Sequence, residues 1–152
     1  MPEQVSISMR PIGVIHTPLT DEDKAPIQSS RSDYEGVLEV YPEFEAGLEG
    51  IEGFSHIFLL YCFFNVGDAS SLQVTPFLDH RKRGVFSTRF PLRPNPIGLS
   101  VVKLIKRDQA RLRFMGADML DGTLLLDIKP YLPDFDIFQA ERFGWYTDRS
   151  KP

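Results

Sequence analysis

Three prolines within six residues, Pro91, Pro94 and Pro96, restrict this chain more than anything else in it. They sit in the stretch 84–100, GVFSTRFPLRPNPIGLS, which also holds two glycines and two arginines. Each proline fixes φ and removes a backbone donor, and each pushes the preceding residue towards extended geometry. Neither a helix nor a central strand accepts that pattern. Residues 90–98 are therefore expected to form a stiff, extended, non-repeating segment between strand-like runs at 85–86 and 99–104. A loop already short of conformational freedom gives up little more when it binds, so Arg89, Arg93 and Asn95 stand on a prepared platform. The alternative is a structural proline turn with solvated arginines.

The rest of the chain reads as short strands. Residues 9–16 (MRPIGVIH), 37–41 (VLEVY) and 72–78 alternate or carry strand formers, the last interrupted by Pro76 and so expected at an edge. Residues 53–64 (GFSHIFLLYCFF) form the most apolar run and are expected to be a strand buried on both faces. Residues 99–106 and 111–115 pair as a hairpin across 107–110, and 123–128 (TLLLDI) is a further strand. One helical turn is expected near 44–48, and 118–122 reads as a turn. Short strands with proline and glycine turns and hardly a helical window argue for an all-β, mainly antiparallel fold, a barrel or a sandwich. At 152 residues one domain is expected, with a loose start at 1–8 and a tail at 137–152 that has no clear period.

The single Cys62 excludes an intramolecular disulfide, and its apolar surroundings predict an inert thiol in a reducing compartment. No charged segment followed by an apolar core opens the chain, and the longest apolar run is too short to cross a bilayer as a helix. The expectation is a soluble cytoplasmic protein. Net charge is −4, but residues 81–113 carry ten Lys or Arg against one acid, Asp108, a segment of +9 on a remainder of −13. Such separation predicts a basic face on an acidic body, unless the side chains alternate along strands and never converge.

Several chemistries lack their residues. There is no glycine-rich dinucleotide loop, no Walker loop and no serine elbow. One cysteine with three scattered histidines, His16, His56 and His80, makes no zinc site of ordinary spacing. His56, inside the apolar run, reads as a structural residue. Two polar clusters remain: Arg89 with Arg93 and Asn95, and Asp121-Gly122-Thr123, where glycine lets the backbone turn and come close to a ligand.

Four blocks, PIGVIHTP, GLEGIEGFSHIFLLYCF, GVFSTRFPLRPNPIGLSVV and DGTLLLDIKPYLPDFD, occur in this order. Together they resemble the TsaA-like family, also called YaeB-like or TrmO, over residues 9–136. The resemblance implies a compact β-barrel domain, S-adenosylmethionine as cofactor, and a homodimer with the site near the subunit interface. It implies methylation of the exocyclic nitrogen of threonylcarbamoyl-adenosine beside the tRNA anticodon, without a metal. Carried over by position, the cofactor contacts are Pro26, Ile27 and Gln28, then Phe64 and Asn65, Arg89, Leu99, and Asp121, Gly122, Thr123 and Leu124. Arg93 and Asn95 are the candidate contacts to the anticodon loop, and no catalytic base is assigned.

The chain departs from the family pattern where many members carry His-Gln at Phe64-Asn65, Pro-Arg-Gln at Pro26-Ile27-Gln28 and Asp-Gly-Thr-Pro at Asp121 to Leu124. Many members also continue beyond the point where this chain ends. These departures keep open a different RNA or small-molecule acceptor, and a non-enzymatic RNA- or ligand-binding module.

Overall fold

The computed structural model describes residues 3–20, 32–63 and 71–147. Among the described residues there are eight strands: β1 (Gly13–His16), β2 (Glu35–Val40), β3 (His56–Cys62), β4 (Gln73–Val74), β5 (Arg83–Gly84), β6 (Ile97–Asp108), β7 (Arg111–Met115) and β8 (Thr123–Pro130). Six of them close into an antiparallel barrel in the order β1-β2-β7-β6-β3-β8, while β4 and β5 form a separate two-stranded ribbon. Among the described residues, helix is confined to α1 (Pro133–Asp136) and a few 3-10 turns.

Alternation along each strand explains the closure. Ile15, Leu38, Ile57, Leu59, Val102, Leu112, Phe114 and Leu125 all point inward and are buried. Closing the sheet removes the unpaired edges that an open sheet would expose. Register shifts between Leu60 and Tyr61 against β8, and between Leu104 and Lys106 against β7, supply local curvature.

Gly98 is set by packing. It lies opposite Tyr61 in the β3–β6 ladder, and any Cβ there would run into the Tyr61 ring. The absent side chain lets the phenol lie across β6 and reach Ser100, with the two hydroxyl oxygens 2.8 Å apart.

Several expectations are corrected. β3 is buried on one face only: Ile57, Leu59 and Tyr61 face the core, while Phe58, Leu60 and Cys62 are half-buried on the outer wall. Both faces are apolar in sequence, so alternation could not be seen. Residues 85–86 belong to a 3-10 turn, Val85–Ser87, following the short β5. The run 72–78 contributes only two strand residues, consistent with Pro76 removing a ladder donor. β6 is longer than expected, and its hairpin with β7 turns on Gln109, whose φ is 55°. The turn expected near 44–48 is the 3-10 segment Pro42–Leu48.

The tail is tied to the barrel's long connection. Trp145 Nε1 donates to the Ser87 carbonyl oxygen at 2.6 Å. Among the described residues, no helix is long and apolar enough to cross a membrane.

Candidate functional site

Antiparallel alternation puts the ends of β1, β3 and β7 and the starts of β2, β6 and β8 at the same rim. The register shows it: Cys62 pairs with both Ile97 and Leu124, Ile15 with Thr123, and His16 with Val37. Three connections leave this rim, 17–34, 63–96 and 116–122. All the site positions carried over by resemblance lie in these connections or within the first strand turns beside them. Pro26, Ile27, Gln28, Phe64 and Asn65 fall outside the described residues.

The 116–122 connection is pinned to the end of β1. Asp121 N–H donates to Leu19 O at 2.8 Å and Gly122 N–H to Ile15 O at 2.9 Å. Thr17 Oγ1 donates to Met119 O at 2.9 Å, and Thr17 N–H to Asp121 Oδ1 at 3.0 Å. Thr123 closes the turn from within, its hydroxyl donating to Leu120 O at 2.6 Å. Gly122 has φ +85° and no atom of the described residues within 4 Å of where a Cβ would stand. A rigid backbone in the left-handed region with open space above it is a cradle for a ligand that must approach closely. The Asp121 side chain is 46% exposed and lies beside His16, whose Nδ1 is 3.7 Å away.

Beneath the turn runs a buried polar chain. Ser100 Oγ donates to Asp118 Oδ1 at 2.8 Å and also bonds the Tyr61 hydroxyl. Burial, and after it the Asp118 carboxylate, push the Tyr61 phenol far above its ordinary range, so it stays a neutral donor. This chain ties β3 and β6 to the 116–122 connection. Sequence reading missed it because Tyr61, Ser100 and Asp118 lie on three separate elements and form no motif.

The proline segment is irregular and bent, with no repeating structure between Thr88 and Pro96. Arg93 is turned inward: its Nη1 donates to Thr88 O and Phe90 O, both at 3.0 Å. That guanidinium braces its own loop. Asn95 is exposed at the tip, and Arg89 is exposed on the wall of a cavity of about 620 Å³. The cavity is walled by the proline segment, by Phe77 and Leu78, and by Phe143, Trp145 and Tyr146 of the tail. Asp121 is not among its lining residues.

Leu99 and Leu124 face outward, 60% and 39% exposed, on the two strands flanking β3. With Ile97 and the half-buried Leu60 they form an apolar stripe down the outer wall.

The ten basic residues do not make one face. Arg107 is bound to Glu52 and to Leu48 O, Arg111 lies 3.6 Å from Glu39, and Arg113 lies 3.0 Å from Glu35. Acids of β2 and of the turn at 51–53 thus pair with the three arginines of the β6–β7 hairpin. Arg81, Lys82 and Arg89 stay exposed on the long connection, while Arg83 bonds Asp79 at 2.7 Å.

The structure thus brings Asp121 and Gly122 together with His16 at one turn and places Arg89 on the wall of a cavity that this turn does not line.

Residues 14–137 match the family described as the tRNA-methyltransferase O N-terminal domain. A probable S-adenosyl-L-methionine-binding protein of Pyrococcus abyssi is 51% identical over 140 residues, covering 91% of this chain and 76% of that protein. The human tRNA (adenine(37)-N6)-methyltransferase is 35% identical over 88% of this chain but only 32% of its own length. The crystal structure of TrmO from Pseudomonas aeruginosa superposes with a TM-score of 0.78 at 37% identity, covering 95% of this chain and 63% of that one.

Proposed function

We propose, from the premise that this chain belongs to the tRNA-methyltransferase O N-terminal domain family, that it is an S-adenosylmethionine-dependent tRNA (adenine-N6)-methyltransferase. The acceptor in this reading is the exocyclic nitrogen of threonylcarbamoyl-adenosine next to the anticodon. One observation carries the cofactor site: the Asp121-Gly122 turn, held to β1 and the residues after it by three backbone donors and the Thr17 hydroxyl, with no atom of the described residues within 4 Å of where a Gly122 Cβ would stand. The relatives' names support the activity, each for its own protein.

Asp121, Gly122, Thr123 and Leu124, with Leu99 and Arg89, would hold the cofactor, together with Pro26, Ile27, Gln28, Phe64 and Asn65. When bound, S-adenosylmethionine supplies an electrophilic methyl group on a sulfonium. The chain's own contribution is positioning. Methyl transfer is an in-line displacement, so alignment of the incoming nitrogen supplies much of the rate. The fixed turn offers the Asp121 carboxylate to a hydroxyl or amino group, and Arg89 offers a guanidinium to a carboxylate or phosphate. Arg93, spent on its own loop, keeps the segment carrying Arg89 and Asn95 in one shape.

A homodimer belongs to this reading. The apolar stripe of Leu60, Ile97, Leu99 and Leu124 runs beside the Asp121 turn, and exposed apolar surface of this kind marks an interaction face. A second copy seated there would place the site beside the interface and help to enclose it. The protein is taken to work in the cytoplasm, where tRNA is available.

Calorimetry with S-adenosylmethionine tests the site. Wild-type protein should take up the cofactor, and Arg89→Ala should weaken uptake by about tenfold, the scale of one charged hydrogen bond. Absence of heat at millimolar cofactor would reject the reading. Nucleoside mass spectrometry of tRNA incubated with protein and labelled cofactor tests the acceptor. Cofactor uptake without a methylated threonylcarbamoyl-adenosine product would move the activity to another acceptor.

A further inference from the structure

The cavity at Arg89 is built from rings left open to solvent. Phe86 is 75% exposed, Phe77 68% and Phe143 59%. Phe77 and Phe90 lie with centroids 5.3 Å apart and planes 34° from parallel. Trp145 is held from two sides: its Nε1 bonds the Ser87 carbonyl, and the Arg83 guanidinium lies 5.8 Å from its ring centroid. Arg83 is in turn fixed by Asp79 at 2.7 Å. A bond to the backbone and a braced cation therefore orient Trp145 in this wall. Rings oriented before binding lose little freedom when they are covered.

The charge around the rings selects the occupant. Residues 76–93 carry five Lys or Arg against one acid, Asp79, which is already committed to Arg83. Arg81, Lys82 and Arg89 are exposed. An apolar peptide would use the rings but not the cations. A nucleotide in a single strand uses both, its base stacking on the rings and its phosphates meeting the cations.

The geometry points to this cavity as a pocket for an unstacked nucleobase of single-stranded RNA. The inference rests on the RNA-acceptor reading above and adds where the loop is gripped. Phe77, Phe86 and Trp145 supply stacking surfaces, and Arg81 and Lys82, exposed on the same connection, supply cations for the backbone. The contact is sequence-tolerant, since every base has a π face.

Trp145 is the only tryptophan in the chain, so its fluorescence reports on the pocket directly. An anticodon stem-loop RNA titrated into this 152-residue chain should quench it, whereas S-adenosylmethionine alone should not. Phe86→Ala and, separately, Phe77→Ala should weaken RNA binding by on the order of tenfold, the scale of one lost base stack. Both rings are exposed, so folding should be kept, and calorimetric uptake of S-adenosylmethionine should be unchanged. RNA binding without quenching and with full affinity in both variants would overturn the pocket and leave the RNA-acceptor reading standing. Loss of cofactor uptake in either variant would assign the cavity to the cofactor and overturn the inference. Quenching by an amphipathic leucine-rich peptide but not by RNA would overturn it in favour of a protein partner. Failure of the wild-type protein to bind the RNA at low salt would remove both readings.

Discussion

Tyr61 shows how one side chain joins the core to the rim. Its ring lies against Gly98, and its hydroxyl is the inner end of a chain through Ser100 to Asp118. Tyr61→Phe removes one buried hydrogen bond while keeping the ring, so the expected loss in denaturant unfolding is about 1 kcal/mol. The pH dependence has a definite sign. The folded phenol is held above its ordinary value of 10.0, chiefly by burial and then by Asp118. The unfolded chain therefore releases this proton first, and the resulting stability is complete below pH 10 and falls as pH rises beyond it. Thermal melts across pH 8 to pH 11 should show a steeper decline for the wild type than for Tyr61→Phe. Parallel curves would mean that the phenol is not protected. Glu52 behaves oppositely: the hydrogen bond from Arg107 lowers its pKa, so any stability it adds is present above its ordinary value of 4.5 and lost as acid protonates it.

At the scale of elements, β3 and β6 form the longest seam of the barrel, seven paired residues from His56↔Lys103 to Cys62↔Ile97. Gly98 is the position in that seam where side-chain space is already taken. Gly98→Ala must displace the Tyr61 ring or bend β6, and overpacking of this kind costs about 1–3 kcal/mol. The Ser100 hydroxyl would move with the ring, so the Asp118 anchor should loosen as well. The variant should therefore lose thermal stability and also cofactor affinity, measured by melting and by calorimetry. Lost stability with unchanged affinity would detach the 116–122 connection from the seam. The proline segment follows a different logic: its shape comes from ring-locked φ angles and from Arg93 holding two carbonyls, with no strand ladder.

For the molecule as a whole, charge is the property most altered by folding. In sequence the ten basic residues form one block, whereas in space Arg113, Arg111 and Arg107 meet Glu35, Glu39 and Glu52. Exposed ion pairs of this kind contribute little to stability, but they remove net charge from the β2 side of the barrel. Arg81 and Lys82 are exposed on the long connection of a chain with net charge −4. RNA affinity measured across salt concentrations should reflect this division. Lys82→Ala should reduce the salt slope by about 0.7, one phosphate on a single strand, whereas Arg113→Ala should leave it unchanged. Equal effects would mean that RNA lies across the β2–β7 wall.

The all-β class, the barrel strands and the proline segment were legible in the chain, because ring-locked φ angles, period-two alternation and glycine turns act over a few residues. The Asp121-Gly122-Thr123 turn was legible for the same reason, since only a glycine sits easily at φ +85°. Barrel closure, the shared rim, the Tyr61–Ser100–Asp118 chain and the aromatic cavity were decided only in three dimensions. Each joins residues far apart in sequence, such as Ser87 with Trp145, or Thr17 with Asp121. The outward half of β3 was concealed because an apolar outer wall erases the alternation that marks a one-sided strand. The division of charge was concealed because a local count of lysines and arginines takes no account of which carboxylates the barrel brings to them.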